Sequence, residues 1–262
     1  MDFKIEDCRN FAQEMAKTAG DIMRKNFMLG MKKEWKADHS PVTESDIQIN
    51  KILIEEVKKQ FPSFGIIAEE ESALNPDAEY NWVCDPVDGT IPFSVGVPIS
   101  VFGLALVKKG KSILGIIRDP FEDRTFYAEE GQGTTLNGEK ICVSNSETLI
   151  HSLLNIENFE AATYPLWDLA KELGIKGVKT TKYCSIMYPS ALVASGEFVA
   201  TIFVHHTCHD IAPVKIIVEE AGGKVTDLWG NDQRYDQPIK GAIASNGKVH
   251  DELVKMTAKY LK

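Results

Sequence analysis

The chain has 262 residues, with 29 Lys+Arg against 38 Asp+Glu and a formal net charge of −9. An apolar content of 44% and a charged content of 26% are ordinary for a folded chain and exclude intrinsic disorder. The acidic balance argues against a nucleic-acid polymer or a membrane surface as partner, because each calls for a basic stripe or polybasic segment.

From the N-terminus, Phe3, Cys8, Phe11, Met15, Ala19, Ile22, Met23 and Phe27 recur at helical spacing, which predicts an amphipathic helix over 2–30, closed by Gly30. The same segment has no basic stretch leading into an apolar run, so it does not read as a signal peptide. Residues 32–41 read as a strand or loop with a turn at 38–41. Thr43 opens a second helix to about residue 59, with Thr43 and Asp46 spaced as a capping box. A short apolar strand, 65–68, runs into Glu69–Glu70–Glu71. Another, 81–84, runs into Asp85–Pro86–Val87–Asp88–Gly89–Thr90, after which Pro92 sits in the first turn of a helix start. Strands follow at 101–107, 112–117 and 125–128, with Asn137–Gly138 as a hairpin turn. The longest apolar run, 99–107, is about half of the ~20 residues a membrane span needs.

Ser144–Asn145–Ser146 reads as a boundary, which divides the chain into an α+β half, 1–143, with an antiparallel sheet and an α/β half, 144–262. The second half alternates. Strands are expected at 153–156, 179–183 and 197–204, and helices at 164–173, 189–195 and 210–221, the last stopped by Gly222–Gly223. Two strands and a helix from Val249 complete it. The five cysteines are odd in number, widely spaced and without a C-x-x-C, which predicts reduced thiols in a cytoplasmic protein.

Asp85–Pro86–Val87–Asp88–Gly89 carries the most chemical information. Two carboxylates three residues apart at a strand's C-terminal end can converge on one point, with the Val87 carbonyl as a third oxygen. That is a donor set for a hard cation such as Mg2+. The backbone N–H groups that follow, at a helix start, suit a phosphate. Read alone, Asp-Pro-x-Asp is as well a capped turn, Glu69–Glu71 a solvated loop, and Asp46 and Asp210 plain helix caps.

Taken in order, the elements are Lys36, Val42-Thr43-x-x-Asp46, Ala68-Glu69-Glu70-x-Ser72, Asp85-Pro86-x-Asp88-Gly89-Thr90, Asp210-x-Ala212 and Glu219-Glu220-Ala221-Gly222-Gly223. Together they resemble the inositol monophosphatase family of metal-dependent, lithium-sensitive phosphatases over nearly the whole chain. The resemblance implies a layered αβαβα sandwich of the sugar-phosphatase type, a homodimer, and two or three Mg2+ ions per site. It implies that Glu69, Asp85 and the Val87 carbonyl hold a first ion, and Asp85, Asp88 and Asp210 a second. Thr90 paired with Asp46 would orient and activate the attacking water, with Glu70 in support. Gly89 and Thr90 would take the phosphate, and Lys36 would lie near it. Six of the 38 acids fall in this set, and setting them aside leaves an excess of only three over the bases. The −9 is thus a local cluster that bound cations would neutralise, and a small phosphorylated metabolite becomes the expected substrate.

The sequence departs from the family pattern around the substrate. His209 stands where Trp is usual, Phe203 and Val199 stand where acids often read substrate hydroxyls, and Cys184–Ser185 replaces a Gly-Ser or Gly-Thr pair. Inositol-1-phosphate leads as substrate, with histidinol phosphate, fructose-1,6-bisphosphate and a 3′-phosphoadenosine nucleotide as alternatives. An inactive metabolite- or metal-binding regulator is the non-enzyme rival, and a metal-free two-carboxylate glycosidase the other enzyme rival. His205 and His209 have a zinc-like spacing only if helical, and the strand predicted just before them argues against that. Substrate-pocket or dimer-surface histidines fit better.

Overall fold

The computed structural model describes residues 3–36, 39–70, 74–75, 77–158 and 164–261. Asp38 of the expected turn, Glu71 and Ser72 lie outside the described residues.

Helix α1 (Ile5–Asn26) is followed by a two-stranded hairpin, β1 (Lys33–Trp35) and β2 (Pro41–Thr43), and by α2 (Glu44–Gln60). Helix α1 stops four residues before Gly30, which instead serves a positive-φ turn. The capping box that starts α2 is formed as expected: the Thr43 N–H donates to Asp46 at 2.8 Å. Strands β3 (Gly65–Ala68) and β4 (Tyr80–Asp88) come next, then the short α3 (Thr90–Ser94). Strands β5 (Val101–Lys108), β6 (Lys111–Asp119), β7 (Arg124–Glu129), β8 (Gly133–Leu136) and β9 (Glu139–Ile141) complete a seven-stranded sheet in sequential order. Only β3 and β4 run parallel; the other pairs are antiparallel. Asn137 and Gly138 both have positive φ and turn β8 into β9.

The second half runs β10 (Leu153–Glu157), α4 (Trp167–Ile175), β11 (Lys179–Thr181), α5 (Met187–Ala194), β12 (Ala200–Phe203), α6 (Cys208–Glu220), β13 (Lys224–Thr226), β14 (Ala242–Ser245) and α7 (His250–Ala258). Its strands form a mixed sheet, ordered β11-β10-β12-β14-β13.

Alternation along the strands builds three apolar layers. Trp82, Cys84, Phe102, Leu104 and Leu106 face α1 and α2. Val83, Val101, Ala105 and Val107 face the opposite way, where α5 and α6 pack with Phe203, Ala242 and Ala244 of the second sheet. The far face of that sheet, with Ile202 and Ile243, is covered by α4 and α7. The order is therefore αβαβα, and the fold is the layered α+β sandwich the sequence predicted. Helix α6 lies against β6 because Gly115 leaves room: a Cβ there would come within 2.4 Å of Ile216 and 3.1 Å of the Pro213 carbonyl. All five cysteines are unpaired. Among the described residues no helix is long and apolar enough to cross a membrane.

Candidate active site

The Asp-Pro-Val-Asp segment is not a turn beyond β4, as the sequence suggested, but the last part of that strand. Pairing with β5 continues through it, Asp85 opposite Gly103 and Asp88 opposite Val101, with an irregular register between. Pro86 has no N–H to give to a ladder, which suits it to a bulge. The bulge brings Asp85 and Asp88 to one side, and the Val87 N–H donates to Asp85 Oδ1 at 2.9 Å. Gly89 then turns the chain into α3 at φ +82°, and a Cβ there would sit 3.1 Å from Ser185.

Asp210 comes from the first turn of α6. That helix begins at Cys208, two residues earlier than expected, and its N-cap is Thr207, not Asp210. The Thr207 hydroxyl donates to Asp210 Oδ2. Among the described residues, one oxygen each from Asp85, Asp88 and Asp210 lies within 4.8 Å of the others, close enough to share an ion. Asp88 is the best held of the three. It accepts hydrogen bonds from the Ser185 hydroxyl, from the Ile186 N–H at 2.9 Å and from the Met187 N–H at 2.8 Å, and so caps α5.

Glu69 and Glu70 follow directly on β3 and meet Lys36 of the β1–β2 hairpin. Lys36 Nζ lies 2.9 Å from Glu69 Oε1 and 2.6 Å from Glu70 Oε1. The Thr90 hydroxyl sits between two acceptors, the Val87 carbonyl at 2.9 Å and Asp46 Oδ1 at 3.4 Å.

Burial and mutual repulsion set the electrostatics. Burial, then the charges of Glu69, Asp210 and Asp88, push Asp85 well above the usual carboxylate range. Burial, then Asp210, raises Asp88 to about 7. Burial likewise raises Asp210 to about 7, against the Thr207 hydrogen bond, and Asp46 to about 7, against the Thr43 hydrogen bonds. Burial works against ionised Glu69 too, but His209 first, then the Lys36 ammonium and a hydrogen bond with Asp85, outweigh it and hold that carboxyl below its ordinary value. Burial pushes His209 down, toward the neutral imidazole. A buried, mutually repelling donor set of oxygens fits a hard divalent cation, and among the described residues the group close enough to share one is made of carboxylates.

A cavity of about 340 Å3 opens over this cluster. Glu69, Asp85, Val87, Asp88, Gly89, Thr90, Ser185, Phe203, His209 and Asp210 all line it. Lys36, Asp46 and Glu70 do not, and reach it through Glu69, Thr90 and Lys36 respectively. Val199 is elsewhere: it packs in the layer under α4 and α7, so it cannot stand in for a substrate-reading acid. His205 and His206 lie between β12 and α6, not on one helix with His209, so the zinc-like spacing has no structural counterpart. His205 does line the cavity, and the His206 ring nitrogen Nδ1 pairs with the Ile239 carbonyl. Sequence reasoning missed the wall made by His39, Ser40 and Pro41, and it missed Thr207. Thr207-x-x-Asp210 has the spacing of a capping box and could have been read from the sequence. A larger groove, about 520 Å3, lies between α1 and the outer face of β6–β8. Four of its charged side chains pair as Arg24–Asp21 and Arg118–Asp123, and among the described residues no carboxylate cluster converges there.

The profile of the inositol monophosphatase family matches residues 4–262. The chain belongs to the inositol monophosphatase family. It is 36% identical over 219 residues to a fructose-1,6-bisphosphatase/inositol-1-monophosphatase of Thermotoga maritima, covering 82% of this chain and 81% of that one. It is 32% identical to inositol monophosphatase 1 of Bos taurus, covering 95% and 93%. The solved structure of a Thermotoga maritima IMPase superposes with a TM-score of 0.88 at 30% identity, over 97% of this chain and 98% of that one. Family members hydrolyse phosphate monoesters and depend on metal ions, and the chain is a phosphatase of this family.

Proposed function

We propose that the chain is a Mg2+-dependent phosphomonoesterase for a small phosphorylated metabolite, with inositol-1-phosphate as the first candidate. The observation that carries this reading is the convergence of Asp85, Asp88 and Asp210 beside the Thr90–Asp46 contact in one cavity. In this reading Glu69, Asp85 and the Val87 carbonyl hold one ion, Asp85, Asp88 and Asp210 a second, and Glu69 a weaker third. Residues 1–143 then carry most of the ligands, and 144–262 supply Asp210 and much of the substrate wall. When bound, Mg2+ would supply positive charge to the phosphoryl oxygens and acidify a water.

The chain's own groups do the rest. Thr90 Oγ1 gives its proton toward Asp46, which leaves its lone pairs to accept from the attacking water and aim it at phosphorus. As the P–O bond to water forms and the ester P–O bond breaks, the water's proton passes through Thr90 to Asp46, and the leaving oxygen takes a proton from solvent to depart as the alcohol. Burial makes Asp46 a base matched to neutral pH. The Gly89 and Thr90 amides hold phosphate, and Glu70 keeps Lys36 in place. Ser185, Phe203 and His209 meet the leaving group. Phe203 offers a ring where an acid would read a polyol, and His209 stands where Trp is usual; fructose-1,6-bisphosphate, in the name of the Thermotoga relative, is the second reading. A homodimer, lithium sensitivity and a cytoplasmic site of action belong to the same proposal.

The test is phosphate release from a metabolite panel with Mg2+, with and without lithium, for the wild type and Asp85→Asn. The expected result is Mg2+-dependent release from inositol-1-phosphate that Asp85→Asn reduces by about 100-fold or more while the circular dichroism spectrum stays the same. Release that survives EDTA or Asp85→Asn would overturn the metal reading.

A further inference from the structure

Glu157, at the C-terminal end of β10, is fully buried and lies outside the proposed ligand set. Its carboxylate accepts from the Tyr183 N–H at 2.7 Å, from the Cys184 N–H at 3.1 Å on both oxygens, and from Asn155 Nδ2 at 3.1 Å. The next residues, Ser185, Ile186 and Met187, all donate to Asp88. One turn therefore hangs between two buried carboxylates, Glu157 on one side and Asp88 on the other.

The turn is also strained at one residue. Cys184 has φ +55°, a left-handed conformation that disfavours residues other than Gly and Asn. Glycine would take this conformation freely. Here a cysteine is held in it, and the hydrogen bonds that hold its N–H come from Glu157. Only a carboxylate can accept from both backbone N–H groups while spending both oxygens on them.

We infer that Glu157 is a positioning residue for the metal site: by pinning Cys184 in the left-handed conformation, it fixes the Ser185–Met187 donors and, through them, the Asp88 carboxylate. The inference rests on the proposed role of Asp88 as a metal ligand. It differs from mere satisfaction of buried amides, because it ties Glu157 to cation affinity and makes the need for Glu157 depend on residue 184.

The experiment measures Mn2+ binding by electron paramagnetic resonance in the wild type, Glu157→Gln, Cys184→Gly and the double variant, with thermal melts of each. Glu157→Gln is expected to weaken Mn2+ binding about tenfold, the scale seen when a group supporting a metal ligand is lost. Cys184→Gly in the same chain should restore it to within about threefold of the wild type, because glycine keeps the turn without being pinned. A Glu157→Gln variant that melts lower but binds Mn2+ as the wild type does would overturn the inference. So would a double variant that binds no better than the single one. If Glu157→Gln alone does not fold, the double variant should fold and bind, and its failure to do so also overturns the inference. A wild type that binds no Mn2+ would remove the metal reading itself, an outcome distinct from the variants matching a binding wild type.

Discussion

Thr90 shows how one hydroxyl can be chosen for chemistry by its neighbours. Its oxygen lies 2.9 Å from the Val87 carbonyl and 3.4 Å from Asp46, so it is held by the strand that carries the acids and by the helix that carries the base. In the proposed mechanism, Thr90→Ala would remove the contact with the attacking water but no binding surface of consequence. It should lower kcat by about 100-fold and leave KM within about threefold, read from steady-state kinetics at saturating Mg2+. A change confined to KM would assign Thr90 to substrate binding alone. Phe203 sets a different constraint. It lines the cavity but is only 2% exposed and is part of the central layer, so an acid placed there would be largely buried. Phe203→Leu is the cleaner variant. If the ring selects the leaving group, it should change the ratio of kcat/KM for inositol-1-phosphate and fructose-1,6-bisphosphate by about tenfold, with the melting temperature lowered by a few degrees.

At the scale of elements, the site depends on how closely α6 approaches the sheet. Gly115 allows that approach, and α6 carries Asp210. Gly115→Val should cost about 1–3 kcal/mol through overpacking against Ile216 and the Pro213 carbonyl. Because it moves the helix, it should also raise the Mg2+ concentration for half-maximal activity. Loss of stability with unchanged Mg2+ dependence would mean that α6 yields locally and leaves Asp210 in place.

The elements also show what a sequence can and cannot convey. The Thr43–Asp46 capping box and the Asn137–Gly138 turn were readable because their partners are three residues away or fewer. The layered fold followed from family likeness, while patterning along the chain conveyed only an α+β half and an α/β half. The bulge in β4 was not readable, since Asp-Pro reads locally as a turn and only the pairing with β5 keeps it extended. Glu157 was not readable either. It is a single acid at a strand end, and its partners Tyr183 and Cys184 lie 26 and 27 residues further on.

Across the whole molecule, the raised carboxylates make stability depend on pH and on metal together. Asp46, Asp88 and Asp210 ionise near 7 in the folded chain, and Asp85 above the usual range. Unfolded, each would ionise near 4. The folded state thus binds more protons up to and beyond neutrality, and its stability falls as pH rises through that range. His250, pushed down to about 4 by burial, and His209, also lowered by burial, act in the opposite sense, but two imidazoles already half neutral in the unfolded chain at about pH 6.5 are outweighed by four carboxylates. Between about pH 6.5 and 8, therefore, the EDTA-treated protein should lose thermal stability, and Mg2+ should reduce that loss because it binds the ionised form. Melts at each pH with and without Mg2+ measure this. A metal-free protein whose melting temperature is flat or rises over the range would contradict it.

Lys36 gives the site a tenant of its own. Its ammonium bridges Glu69 and Glu70, and burial notwithstanding, those two carboxylates keep it charged. Any cation that claims Glu69 must compete with this resident one, and Lys36 reaches its place from the β1–β2 hairpin. In the proposed reading, an ion on Glu69 would meet a carboxylate already partly neutralised by Lys36, which Glu70 keeps in place at 2.6 Å. The acid cluster therefore never stands wholly uncompensated, even before an ion binds.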